Sequence, residues 1–199
     1  FQLSYAVGLL FFGWFVDRFG TKIGYTTSIV LWSIAAMSHA LVGSVNGFFA
    51  ARVFLGVSEG GNFPAAIKAV ALWFPKKERA FATAIFNAGT NVGAIIAPAM
   101  IPAIALTLGW RWAFILAGLA GFVWLFFWFP MYDVPEKLKN LTKAEFELIH
   151  SDKDEGGIGG RPMGWTRALK LPQTWSFLTA KFLTDPVWWA ENGRSGASE

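Results

Sequence analysis

Two ionisable residues, Arg52 and Glu59, stand in a stretch otherwise made of apolar and small side chains, Ala51-Arg-Val-Phe-Leu-Gly-Val-Ser-Glu-Gly60. A charge at the centre of a membrane-spanning helix costs about 2.5–3.5 kcal/mol on insertion scales, so each needs a partner, water or a change of charge state. At about 100° per residue the helix returns Glu59 almost to the face of Arg52, with Gly56 on the same stripe. Such a pair suits two roles: a structural ion pair that fixes helix packing, or a proton site tuned by its neighbour. The proton site is the favoured reading.

Gly60-Gly-Asn-Phe-Pro64 follows at once. Pro64 lacks the N–H that would reach back to Gly60, and the glycines weaken the same turn, so the helix is expected to kink or unwind there. Interrupted helices leave backbone groups free to meet an ion or substrate, although glycine and proline in lipid also serve packing. Lys68 rotates onto the opposite face and reads as a snorkelling side chain rather than a substrate ligand. Further on, Asn87, Thr90 and Asn91 form a polar patch at i, i+3 and i+4, while Gly89 and Gly93 make a small-x-x-x-small pair; binding and packing both fit. Tyr5 offers a hydroxyl among apolar neighbours, for contact with a ligand or for an interfacial or core position. His39 is expected at the membrane interface. No His, Cys or carboxylate set has metal-ligand spacing, and no phosphate loop or nucleophile elbow is present. An enzyme is not indicated, and no metal or cofactor is expected.

The elements that must position these residues follow from hydropathy. With 54% apolar and 15% charged residues, and apolar runs of bilayer-spanning length, the chain reads as an all-α, polytopic transmembrane bundle. Spans are expected at about residues 1–16, 24–42, 48–73, 81–107 and 112–130, with a sixth from about 173. No set of alternating strands could close a barrel. The net charge of +4 resides in the gaps between spans and forms no aromatic-interleaved stripe, which argues against nucleic acid as a partner. There is no cysteine.

Arg18, Lys22, Lys76, Lys77 and Arg79 fall on one side of the membrane, whereas the opposite loops contribute only Arg111. The positive-inside rule makes the first side cytoplasmic. Residues 131–172 lie on that side and carry Lys137, Lys139, Lys143, Lys153, Arg161, Arg167 and Lys170. Within them Thr142-Lys-Ala-Glu145 has capping-box spacing and opens a short helix, before Gly156–Gly160 as a flexible linker. The start at Phe1-Gln2-Leu3 reads as mid-helix, and the polar residues 190–199 read as foreign to the span that begins at 173.

The segment Gly13-Trp-Phe-Val-Asp-Arg-Phe-Gly-Thr-Lys22 resembles the signature loop of the major facilitator superfamily. It offers a tight turn at Gly20 and gathers Asp17, Arg18 and Lys22 at a helix end, which suits a charge latch between moving parts, the favoured reading, or ordinary positive-inside topology. Arg52-Val-Phe-Leu-Gly-Val-Ser-Glu59, Trp73-Phe-Pro-Lys-Lys-Glu-Arg79, Phe86-Asn-Ala-Gly89 and Gly109-Trp-Arg-Trp112 narrow the resemblance to the anion:cation symporters, and within them to bacterial hexuronate transporters. The resemblance implies twelve helices in two six-helix halves, with helices two to six in residues 1–130, a cytoplasmic loop at 131–172 and the start of helix seven at 173–189. It further implies that Glu59 takes up the coupled proton with Arg52 in support, that Tyr5 contacts substrate, that Thr90, beside Asn87, is the polar position of the fifth helix, and that Gly13, Asp17, Arg18, Gly20 and Lys22 form the latch. Its partners would be the lipid bilayer, a small carboxylate and a proton, in the inner cell membrane. A competing reading is a membrane sensor with a transporter-like body, whose mark would be an attached soluble signalling domain; another is a truncated product without activity.

Overall fold

A single glycine separates the first two helices. Helix α1 (Gln2–Phe19) ends where Gly20 adopts φ +88° and ψ 161°, a conformation open in practice only to glycine, and α2 (Thr21–Ser38) starts on the next residue. The amide of Gly20 donates to Val16 O at 3.0 Å, closing the end of α1. The tight turn expected at Gly20 is therefore present. Gly20→Ala should cost about 1–3 kcal/mol, read as a lowered melting temperature of the purified protein; a melting temperature equal to wild type would contradict the strained turn.

This computed structural model describes residues 1–138 and 141–151, and beyond them 167, 169–176, 178–180 and 183–184. It is all-α, with no strand among the described residues. After α2 and a short 3-10 turn (His39–Leu41) come α3 (Val45–Glu59), α4 (Asn62–Trp73), α5 (Lys76–Thr107), α6 (Trp110–Met131), a second 3-10 turn (Pro135–Lys137) and α7 (Lys143–His150). Gly109, at φ +95°, joins α5 to α6 as Gly20 joins α1 to α2.

The third expected span, 48–73, is two helices rather than one. Gly60 and Gly61 keep right-handed angles (φ −56°, ψ −16°; φ −81°, ψ −18°), so the chain bends at the break and does not reverse. Proline removes the ladder bond to the Gly60 carbonyl, and the Ser58 carbonyl, left with a long bond from the Gly61 amide at 3.4 Å, is also met by Ser28 Oγ of α2, which donates at 2.6 Å in a buried setting. A neighbouring hydroxyl thus makes the interruption tolerable in an apolar interior. Taken singly, α3 and α4 are shorter than the roughly 20 residues a span needs. By length and hydropathy alone, α5 and α6 are the two helices among the described residues that could each cross a membrane.

Close backbone approach holds the first four helices together. Gly8 of α1 lies against the Val57 backbone, and a Cβ at Gly60 would stand 2.6 Å from Leu9 N and 2.7 Å from Gly8 C. On the other side of α2, Gly118 and Gly121 of α6 receive Met37 and Ser33. Phe12, Val16, Ile29, Ala35, Ala51 and Ala65 form the buried interior, whereas Leu106, Ile95 and Phe126 on α5 and α6 are among the outward-facing apolar residues, as lipid-facing positions should be. Small side chains supply this contact because lipid gives apolar bulk no advantage between helices.

His39, expected at the membrane interface, is turned into the bundle. It is fully buried, its ring stacked 5.0 Å from Phe114 of α6 and edge-on to Phe48 of α3, with Nδ1 2.8 Å from Ala35 O. Hydropathy gives depth along a helix but not direction around it, and His39 points inward.

Helix α7 opens with the capping box anticipated at Thr142: the Glu145 amide donates to Thr142 Oγ1, and Glu145 Oε2 accepts from the Thr142 amide at 3.0 Å. A second unit, residues 159–199, includes helical residues at 172–176 and 178–180, where Trp175 Nε1 donates to Leu169 O at 2.8 Å. The Gly156–Gly160 linker, Lys139, Lys153, Arg161, most of the sixth expected span after 180 and the 190–199 tail lie outside the described residues.

Candidate functional site

The break between α3 and α4 gathers three of the expected site residues. Glu59, half-buried, is the last residue of α3, and Arg52 sits about two turns earlier, exposed. Gly56, between them, has no side chain to hold α1 away: a Cβ there would be 2.9 Å from Phe1 O and 3.1 Å from Tyr5 N. That approach brings half-buried Tyr5 into electrostatic range of Glu59, which also feels the charge of Arg52. No ion pair joins Arg52 to Glu59 among the described residues, so the carboxylate is not locked into the permanent pairing that a purely structural role would need.

Asn87, Thr90 and Asn91 lie on an exposed face of α5, and none has a hydrogen-bond partner among the described residues. Phe86, preceding Asn87, meets Phe63 of α4 at 6.4 Å between ring centroids, which sets the near end of this patch beside the break. No hydrogen bond ties the patch to Glu59 or Tyr5. Nothing among the described residues lies within 4 Å of a Cβ at Gly89 or Gly93, so their small-residue face is open rather than packed.

At the other end of the bundle the charges pair differently from the cluster expected at the signature loop. Asp17 accepts from Lys68 Nζ at 2.8 Å, and the same ammonium donates to Val16 O at 3.0 Å, capping α1 from α4. Lys68 is thus an interhelical tie and not a free snorkelling group; the break turns α4 so that its ammonium meets α1. Lys22 pairs with Asp133, just beyond α6, at 3.1 Å, and the Asp133 carbonyl accepts from Trp73 Nε1 at 3.1 Å. Arg18 is exposed with no partner among the described residues. Gly13 and Asp17 border a cleft of about 410 Å³ between α1 and α4, with Phe63, Pro64 and Lys68 on its far wall.

Asp133 joins the ends of α2, α4 and α6. The Val134 amide and then the Lys22 ammonium hold its carboxyl below the usual carboxylate range. A depressed folded pKa means that its contribution is present above the ordinary carboxylate range and disappears as pH falls through the depressed value. Protection of the amides of residues 20–24 from hydrogen exchange, taken relative to the intrinsic rate at each pH, should therefore fall below about pH 4 in the wild type. Asp133→Asn should show the lower protection already at neutral pH, without the acid step; a variant that keeps the step would place the titrating group elsewhere.

Sequence reasoning misread Lys68 as a snorkelling group and missed the roles of Asp133, Trp73 and Ser28. Asp133 alone carried a usable signal, as an acid placed directly after an apolar run on the side rich in Lys and Arg.

The chain matches the model of the Major Facilitator Superfamily over residues 1–190. It belongs to that superfamily. Among its relatives, the hexuronate transporter of Escherichia coli (strain K12) is 34% identical over 190 residues, covering 94% of this chain and 44% of that protein. The galacturonate transporter of Dickeya chrysanthemi is 33% identical over 179 residues, 88% of this chain and 52% of that protein. A probable galactarate/D-glucarate transporter of Bacillus subtilis (strain 168) is 31% identical over 163 residues, 79% and 35%. The chain spans about half the length, or less, of these curated relatives. Membership of the superfamily makes it a membrane protein, and the bundle is a partial helical transporter fold.

Proposed function

We propose that this chain is part of a secondary active transporter that carries a hexuronate or related sugar-acid anion together with a proton, by alternating access, across the inner membrane. The observation that carries the reading is Glu59: a half-buried carboxylate at a break in a span, on the stripe of Arg52 and Gly56 yet closed into no ion pair among the described residues. A buried anion opposes movement through a low-dielectric barrier, and protonation removes that charge. Glu59 binds the proton when a substrate carboxylate is paired, and the neutralised complex rocks between outward and inward states. Arg52 steadies the ionised form. Tyr5, Asn87 and Thr90 bind the sugar acid.

The loop Gly13–Lys22 with Asp17, Arg18 and Gly20 serves as the conformational latch, extended by Lys68 and Asp133. The end of the bundle that holds these pairs faces the cytoplasm, as does the loop 131–172 that precedes the seventh helix. The relatives support the substrate class, since their names specify hexuronate, galacturonate and galactarate or glucarate. No observation favours catalysis.

The test is uptake by the complete protein in proteoliposomes with an imposed pH gradient. Galacturonate or glucuronate should accumulate against its gradient, and a protonophore should collapse the accumulation. Uptake that only equilibrates, or that follows sodium instead, would remove proton symport.

A further inference from the structure

Asn62 is the first residue of α4, and its Oδ1 is buried without a hydrogen-bond donor among the described residues. Buried acceptors are normally satisfied, so an orphan at a functional break calls for a physical reason. The neighbouring geometry supplies one. Because Gly60 and Gly61 keep right-handed angles, Asn62 follows Glu59 at i+3 around a single turn, which puts the two side chains on one face. An ionised carboxylate only accepts hydrogen bonds and so cannot satisfy Oδ1, whereas a protonated one carries an O–H donor. We propose that Asn62 is a positioning residue for the coupled proton: its carbonyl oxygen receives the Glu59 O–H in the protonated state and stands unsatisfied in the ionised one.

This inference rests on the proton role given to Glu59. The charged group that acts on Glu59 is Arg52 on its own helix, and the neutral phenol of Tyr5 on α1 lies within electrostatic range of the carboxylate. From α2, Ser28 is engaged with Ser58 O, Tyr25 packs at a tilt against Trp128 of α6, and Lys22 pairs with Asp133. On α4, Lys68 is tied to Asp17. Asn62 is therefore the side chain on this turn that can distinguish the two protonation states by hydrogen bonding. The device is a two-position balance, in which loss of the proton leaves an acceptor stranded and its arrival satisfies that acceptor.

The experiment follows the pH dependence of sugar-acid exchange by the complete protein in proteoliposomes, together with its melting temperature in detergent. Asn62→Leu, close in size and unable to accept, should move the midpoint of the pH profile to the acid side by about one unit, the equivalent of one hydrogen bond, with KM changed less than about threefold. Asn62→Gln, which keeps the amide, should restore at least half of that shift. At alkaline pH the leucine variant should melt no lower than wild type, because it removes an unsatisfied acceptor; an asparagine that merely held structure would instead leave a destabilised protein at every pH. If the leucine variant does not reach the membrane, Asn62→Ala carries the same test. A pH profile superimposable on wild type, or an alkaline destabilisation with no shift, overturns the inference. Retention of pH-driven accumulation by Glu59→Gln would instead overturn the underlying reading.

Discussion

Replacing Glu59 by glutamine in the complete protein should abolish concentrative uptake while leaving exchange of substrate for substrate intact. One pH unit of gradient stores about 1.4 kcal/mol per proton, which can drive about tenfold accumulation of a monoanion carried with one proton. The accumulation ratio of the glutamine variant should fall from that value to about one. Exchange survives because glutamine mimics the protonated acid in shape and neutrality, so the loaded protein can still rock, but it has no proton to release. Counterflow with labelled galacturonate on one side and unlabelled on the other measures the first property; a pH-jump accumulation assay measures the second. Loss of both together, with a lowered melting temperature, would identify Glu59 as a structural partner and dismiss the coupling role. The geometry leans the other way, since a structural partner should be locked into an ion pair and Glu59 forms none among the described residues.

That distinction shows what kind of information the amino-acid order carried. The placement of Glu59 and Arg52 on one stripe came from helical periodicity, and the interruption at 60–61 from Pro64 and two glycines; both are local effects fixed by neighbours within a turn or two. The capping box at Thr142 and the turn at Gly20 are local in the same sense. Tyr5 reached Glu59 through a different route, in which Gly56 admits the first turn of α1. The glycine was legible as part of the stripe, but the helix that would press against it was not.

Partners far apart in sequence were the ones misread or missed. Lys68 and Asp17 meet across 51 positions, and Lys22 and Asp133 across 111. Hydropathy placed all four near the same membrane face, yet it could not say which acid faces which base, because that depends on the rotation of α1, α2, α4 and α6 about their own axes. The same limit applies to His39, placed near a helix end by hydropathy, whose inward direction hydropathy could not give. It also applies to Gly89 and Gly93, whose spacing suits helix packing although no helix among the described residues covers them.

The largest stability effect should come from the seam between α1 and α3, where Gly60→Val is expected to lower the stability of the purified protein by more than about 3 kcal/mol, or to prevent its accumulation in the membrane. A Cβ at this position meets Leu9 N at 2.6 Å, Gly8 C at 2.7 Å and Gly8 Cα at 2.9 Å, all backbone atoms that cannot swing aside as a flexible side chain would. Ser4 and Gly8 on α1, and Gly56 of α3 with Gly60 just past its end, repeat at four-residue intervals, so the two segments touch along a continuous strip of small residues. Pushing them apart at Gly60 therefore loosens contacts at Gly56 as well, and moves Tyr5 away from Glu59. Alanine at Gly60 should already cost about 1–3 kcal/mol, for the same steric reason at smaller volume. Gly13→Ala supplies the control: it stands in the same helix as Gly8 with no atom within 4 Å of a Cβ, and helix propensity favours alanine there. If alanine at Gly60 melts with the Gly13 variant instead of well below it, the seam is looser than its backbone distances imply, and the approach of Tyr5 to Glu59 must be held by something other than the glycines.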